Sequence, residues 1–130
     1  MKPGKPMAVG RKKNKLIFCL PGNPVAAFVC SKLIVKPILI KLAGGIDFEP
    51  LVIKIPSGFN FKKRQGRTEY LRGKIISEEN SNFLTIHGRK GAGVISSLTG
   101  ADGIIEIPFN YENVKVGELL KFYPFSHRCL

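Results

Sequence analysis

The stretch "EYLRGKIIS", Glu69 to Ser77, decides how this chain folds. Laid out as a strand, it puts Tyr70 and Arg72 on one face and Leu71 and Gly73 on the other, the two-residue period of a pleated sheet. That period sets in after Phe48. "LVIKIP", "NFLTIHG", "GIIEIP" and "GELLKFYPF" are further short strands, separated by "SGFNFKKRQGR", "EENS", "RKGAGVISSLTGAD" and "FNYENVKV". Short strands with Gly-rich and Asn-rich connections predict a small β-barrel or sandwich of about 80 residues, near the lower size limit for folding alone. Its bounds are placed at residues 47–130.

The upstream residues, 1–46, follow a different pattern. "MKPGKPMAVG" reads as a proline-rigid turn entering a strand, and "KLIFCL" as a second strand after the basic turn "GRKKN". "LPGNP" then turns into a helix, with Asn23 as N-cap and Pro24 in the first helical position, where its missing N–H costs nothing. Apolar residues dominate to Leu42, Gly44 is the stop, and Pro37 is predicted to kink or split the helix. Prolines aside, only Ser31, Lys32, Lys36 and Lys41 interrupt the apolar run from Pro24 to Leu42. A helix so apolar is normally buried on most sides, yet no second long helix or parallel sheet is available to cover it. The fold class is therefore mainly β with an α/β arm: a C-terminal β-barrel preceded by a strand-turn-helix remnant whose own domain is incomplete.

Twenty-one Lys and Arg against nine Asp and Glu give a net charge of +12, which favours anionic partners. Nine of the basic residues precede Asp47, the first acidic one, so the arm is more basic than the barrel. Cys19, Cys30 and Cys129 lack the close pairing of a zinc ribbon or disulfide scaffold, which points to a reducing, cytoplasmic compartment. Lysines break the longest apolar run below the roughly 20 residues of a membrane span. Pro3, Gly4 and Pro6 stand where a signal peptide needs its apolar core, so export is not expected.

Four segments offer chemistry. The turn Pro21-Gly22-Asn23-Pro24 sits at a helix start, where unsatisfied N–H groups and the dipole suit an oxyanion or phosphate, and Gly22 permits close approach. A rigid capped connection explains the same residues. In "KPGKP", Pro3 and Pro6 stiffen the backbone around Lys2 and Lys5, so less entropy is lost when both ammonium groups meet one anion. Arg72 projects a guanidinium from a rigid strand toward a carboxylate, phosphate or oxyanion, or else guards a sheet edge. "GRKGAGVISSLTGADG" suggests a loop entering one helical turn, with Ser96 and Ser97 as polar contacts, and its spacing fits neither a Walker loop nor a dinucleotide fingerprint. His87 and His127 lack metal-ligand spacing and no metal ligands are assigned.

Together, "MKPGKPMAVG", "FCLPGNPVAAF" and "KPILIKLAG" resemble the carboxy-terminal third of the molybdopterin molybdenumtransferases, the family of bacterial MoeA and the gephyrin E domain. "GRTEYLRG", "GAGVISSLTGADGIIEIP" and "VKVGELLKFYPF" agree in order, so nearly the whole chain is covered. The resemblance implies that the arm ends a three-layer α/β domain similar to MogA and that the barrel is a separate domain. It implies insertion of molybdate into adenylylated molybdopterin, giving molybdenum cofactor and AMP with a divalent ion such as Mg2+, whose ligands would lie outside this chain. On that carry-over Lys2 and Arg72 are catalytic, while Lys5, Pro21, Gly22, Asn23, Pro24 and Ser96 bind anion or substrate. Ala92 stands where many members have serine, which removes a hydroxyl. The acidic residues, the Gly-rich loop and two further domains that the family carries upstream are not in this sequence, so the chain is expected to be a fragment, half of a split gene or a remnant. Its partner would be the missing amino-terminal part or a polypeptide supplying it, within a homodimer.

Two other classes compete. Phe59 and Phe61 beside Lys62, Lys63 and Arg64 would let a basic barrel stack and track single-stranded nucleic acid. Alternatively, the arm helix docks a partner without chemistry.

Overall fold

The computed structural model describes residues 7–47, 49–88 and 96–125. The barrel follows from the alternation read above. Five antiparallel strands, β3 (Ile53–Pro56), β5 (Glu69–Glu78), β6 (Ser81–Ile86), β7 (Gly103–Ile107) and β9 (Leu119–Pro124), lie in the order β3-β9-β7-β5-β6. The two outer strands nearly meet: Ser57, just past β3, bridges Leu84 of β6, and the Gly58 amide donates to the Leu84 carbonyl at 2.8 Å. Buried Ser57 is fully engaged at this seam, its hydroxyl donating to the Phe59 carbonyl at 2.7 Å. Joining the ends of a sheet in this way leaves little open edge.

The inward faces supply the core, with Ile55, Leu84, Ile105, Ile107, Leu120 and Phe122 as its centre. Two connections expected to be plain loops carry a further ladder. β4 (Phe61–Lys62) pairs with β8 (Asn113–Val114), which buries Phe61 and Val114 in the same core. Two residues are too few to show a period, so "SGFNFKKRQGR" and "FNYENVKV" did not read as strands. The β5–β6 hairpin turns on Glu79 and Asn80, both at positive φ (42° and 70°), as the twist of a two-residue hairpin demands.

At the middle of the sheet Gly73 of β5 and Gly103 of β7 face one another. A Cβ added at Gly73 would lie 2.5 Å from Ile105 Cγ1, and one added at Gly103 would lie 2.5 Å from Phe122 Cζ. The two glycines thus make the space that the buried Phe122 ring fills.

The arm is a hairpin of β1 (Ala8–Lys12) and β2 (Lys15–Cys19) followed by a helix. Pro37 does not split that helix. α1 (Pro24–Cys30) runs through a π turn, Ser31–Val35, directly into α2 (Lys36–Leu42), and the Lys36 amide reaches back to the Ser31 carbonyl. The wider turn takes up the place where the proline ring would strike the preceding carbonyls. Gly44, at φ 86°, ends the helix: its amide bonds the Lys41 carbonyl, and that of Gly45 the Ile40 carbonyl. The expected burial on most sides is not met: α1 encloses one face, Ala26, Val29 and Cys30, and leaves Phe28 38% exposed. α2 buries none of its residues, and Leu42 is 65% exposed. No described helix is long and apolar enough to cross a membrane.

Replacing Gly103 by Val should lower barrel stability by at least about 1–3 kcal/mol, because the ring and backbone around it cannot both give way. A urea melt reads the loss, and an unchanged midpoint would contradict the packing of Phe122 on this glycine pair.

Candidate anion-binding site

The turn before α1 is built from the inside outward. Pro21 is buried, while Gly22, Asn23 and Pro24 are exposed. Asn23 caps the helix: its Oδ1 accepts from the amides of Val25 at 3.0 Å and Ala26 at 3.3 Å, and its carbonyl takes the Ala27 amide at 2.9 Å. Pro24 has no N–H to offer. The expectation that the helix start presents free amides is therefore corrected, since the cap engages those of the first turn and leaves the dipole and the shape. Gly22 shows ordinary φ, and a Cβ there would meet nothing within 4 Å among the described residues. Neither backbone conformation nor this packing requires glycine at that position.

Arg72 lies on β5, next to Gly73. Gly88, at φ 80°, sits against its guanidinium: an added Cβ would be 3.4 Å from Arg72 Cζ. The Arg72 carbonyl accepts the His87 amide at 2.9 Å. His87, read as structural or exposed, is half-buried with its ring against Gly100, where an added Cβ would lie 2.6 Å from Nε2. Two glycines therefore shape the ground beside Arg72. α3 (Ser96–Thr99) is the predicted single helical turn before this corner, and Ser96 opens it; the Ser96 side chain is outside the described set. Lys2, Lys5, Ala92, His127 and Cys129 also lie outside the described residues.

The face that carries Arg72 also holds Tyr70, Glu106 and Tyr123. Register sets Tyr70 opposite Glu106 and places Arg72 and Tyr123 on either side of the buried Ile104. The Tyr123 hydroxyl donates to Glu106 Oε2 at 2.5 Å. Burial first, then this hydrogen bond and the carboxylate's charge, push the Tyr123 phenol well above its usual range. Burial and Glu106 push Tyr70 up as well. Glu106 is thus engaged on that outer face of the sheet. Among the described residues, no group of three or more His, Cys, Asp or Glu side chains is placed to hold a metal ion.

The residue that sequence reasoning missed is Asp102. Its carboxylate accepts the Ile75 amide at 2.9 Å and its own amide donates to the Gly73 carbonyl at 2.8 Å, so it completes β5 where the β5–β7 ladder stops. No local signal in the sequence marks it, because its partners Gly73 and Ile75 lie on a strand distant in the chain. Phe59 and Phe61 are the clearest correction. Phe61 is 7% exposed and Phe59 packs on the core, so neither forms the stacking platform that the nucleic-acid reading needs.

The chain is thus a small β-barrel, bearing an arginine beside a glycine corner, joined to a basic strand-turn-helix arm. In comparison with known proteins, residues 54–125 match the MoeA C-terminal region (domain IV), and the chain belongs to that family. It is 33% identical over 129 residues to the molybdopterin molybdenumtransferase of Haemophilus influenzae, covering 98% of this chain and 32% of that protein. Identity to the Drosophila melanogaster molybdenum cofactor synthesis protein cinnamon is 31%, over 97% of this chain and 21% of the other. The crystal structure of the molybdopterin biosynthesis MoeA protein from Pyrococcus horikoshii superposes with a TM-score of 0.71 at 27% identity, covering 95% of this chain and 30% of that one. The chain thus spans between a fifth and a third of the length of these relatives.

Two outcomes follow from this geometry. Asn23→Ala should cost about 1 kcal/mol by uncapping α1, and Asn23→Asp should retain most of that stability, as read by the helical circular-dichroism signal on heating. The raised tyrosines set an alkaline limit. The native state keeps their protons where the unfolded chain releases them, so their contribution is whole below about pH 10 and is lost as pH rises through the folded values. Tyr123→Phe should therefore be less stable than wild type at neutral pH, by about 1–3 kcal/mol, and lose stability less steeply above pH 10. Parallel stability-against-pH curves would contradict the pairing.

Proposed function

We propose that this chain supplies the barrel and adjoining arm of a molybdopterin molybdenumtransferase, which inserts molybdate into adenylylated molybdopterin and releases molybdenum cofactor and AMP. The observation that carries the reading is the 33% identity to the Haemophilus influenzae enzyme, which runs through arm and barrel alike. We assign residues 1–46 to the end of a MogA-like domain and 47–130 to the barrel domain.

Within that reading the substrates are anions and this chain's task is to hold them. Arg72 and Lys2 carry the positive charge that stabilises the departing phosphate and the incoming oxyanion, because fixed cations in a partly dry site act without reorganising. Lys5 adds charge beside Lys2. Pro21 and Pro24 hold the turn, Gly22 lets the ligand reach the backbone, Asn23 keeps the helix start in shape, and Ser96 supplies a hydroxyl contact. The reaction's Mg2+ takes its ligands from outside this chain, as does the remainder of the site. The partner is the amino-terminal part of the enzyme, or a polypeptide that supplies it, in a cytoplasmic homodimer.

The exposed apolar side of α2 favours the same partner. Leu39 and Leu42 are 53% and 65% exposed, and clustered apolar surface of this kind marks an association site.

Molybdenum cofactor formation should be absent with the chain alone and appear when the amino-terminal portion is added. Arg72→Ala should then reduce the rate by about 100-fold or more, with Arg72→Lys intermediate. Full activity of the isolated chain would overturn the claim that the site is shared, and an Arg72→Ala protein as active as wild type would remove Arg72 from it.

A further inference from the structure

Arm and barrel are joined along the chain by residues 43–52 and across it by a cluster around Phe125, the residue after β9. The Phe125 ring meets Phe28 of α1 edge-on, with centroids 5.1 Å apart and planes at 89°. The Lys32 ammonium lies 5.7 Å from the centre of the same ring and donates to the Phe125 carbonyl at 3.4 Å. Phe28 and Lys32 are four residues apart, so they stand on one side of the helix and close on Phe125 together. Lys32 falls in the π turn that Pro37 calls for, a kind of irregularity often found where a helix must aim a side chain. Its ammonium is partly withdrawn from water, which lowers its pKa, with Lys36 adding to the effect.

On the barrel side the contact does not end at Phe125. The Phe125 amide donates to the Asp102 carbonyl at 2.9 Å, and the Asp102 amide to the Gly73 carbonyl at 2.8 Å. Gly73 directly follows Arg72. Two backbone hydrogen bonds therefore register the residue that the arm grips to the strand that carries the arginine. The connecting chain offers less restraint: Gly44 is left-handed and Ile46 is 91% exposed.

We infer that Phe28 and Lys32 clamp Phe125 and that this clamp, through Asp102, sets where Arg72 stands relative to the turn Pro21–Pro24. Lys32 and Phe125 are then positioning residues of the site proposed above, and the inference rests on that reading in supposing that arm and barrel act on one ligand.

The test uses the full 130-residue chain with spin labels on the exposed Cys19 of β2 and on a Glu79→Cys substitution at the β5–β6 turn, in a Cys129→Ser background. Buried Cys30, its thiol pKa raised by burial, stays unlabelled. Wild type should give a narrow interlabel distance distribution. Lys32→Met and Phe125→Ala should broaden it about twofold or more while the barrel still melts cooperatively, and Lys32→Arg should restore the narrow form. In the enzyme reconstituted with its amino-terminal portion, both disruptive variants should lower kcat about 10- to 100-fold with KM little changed. An unchanged distance distribution in both variants overturns the clamp. Broadening with kcat intact overturns its link to Arg72. Where Phe125→Ala unfolds the barrel, Lys32→Met decides, since it alters only the arm. If reconstituted wild type is inactive, the functional reading fails, and the distance measurement still decides the clamp.

Discussion

Phe122 lying over the Gly73–Gly103 pair is the contact on which the barrel depends. The ring is fully buried, and it can lie there only because two facing strands carry no side chain at that level. Three strands are fixed by it at once: β5 and β7 through the glycines and β9 through the ring itself. The β5–β7 ladder stops at this pair, β5 continues beside β6, and Asp102 takes the amide that β7 no longer reaches. Arg72 precedes the first glycine, so its backbone is held next to the close approach of Gly73 to Ile105 and Phe122. A guanidinium held this way loses less entropy when it meets an anion than one on a mobile loop.

The charges of the two parts differ in how they are used. Glu106, the acidic residue on the Arg72 face, is taken up by Tyr123 and lies opposite Tyr70, so it is anchored within that face. The arm carries nine cations before its first carboxylate. Such a field favours anions near the arm. The exposed apolar side of α2 lies on the same arm, so the partner proposed above would match it in shape as well as in charge.

Legibility followed the length and regularity of each signal. The five principal strands stood out because alternation in "EYLRGKIIS" and its neighbours extends over several residues, and Asn23 and Gly44 named both ends of the helix through their capping chemistry. β4 and β8 were hidden because two residues have no period, and the aromatics of β4 then misled: Phe61 beside Lys62 reads as a stacking face until pairing with Val114 turns it inward. The π turn was hidden because proline announces a conflict without saying how the backbone resolves it. Of the candidate site, Arg72 and the Pro21–Pro24 turn were visible as residue types, whereas Asp102 was not, because its partners Gly73 and Ile75 lie far away in sequence.

Asn23 has the largest consequence for the chemistry. A capped helix start cannot give the same amides to a ligand, so in the proposed site an anion at this turn would meet the helix dipole and side-chain charge, and the turn's part would be to hold a shape that leaves Gly22 open. In the proposed site the turn and lysines of the arm act with the arginine of the barrel only when the two bodies keep a fixed relation. The contact inferred to hold that relation reaches from the helix, through Phe125 and Asp102, to the glycine beside Arg72. The same glycine makes room for Phe122. Core packing, the junction of arm and barrel, and the placement of the arginine are therefore one mechanical system, in which a side chain added at Gly73 would disturb all three.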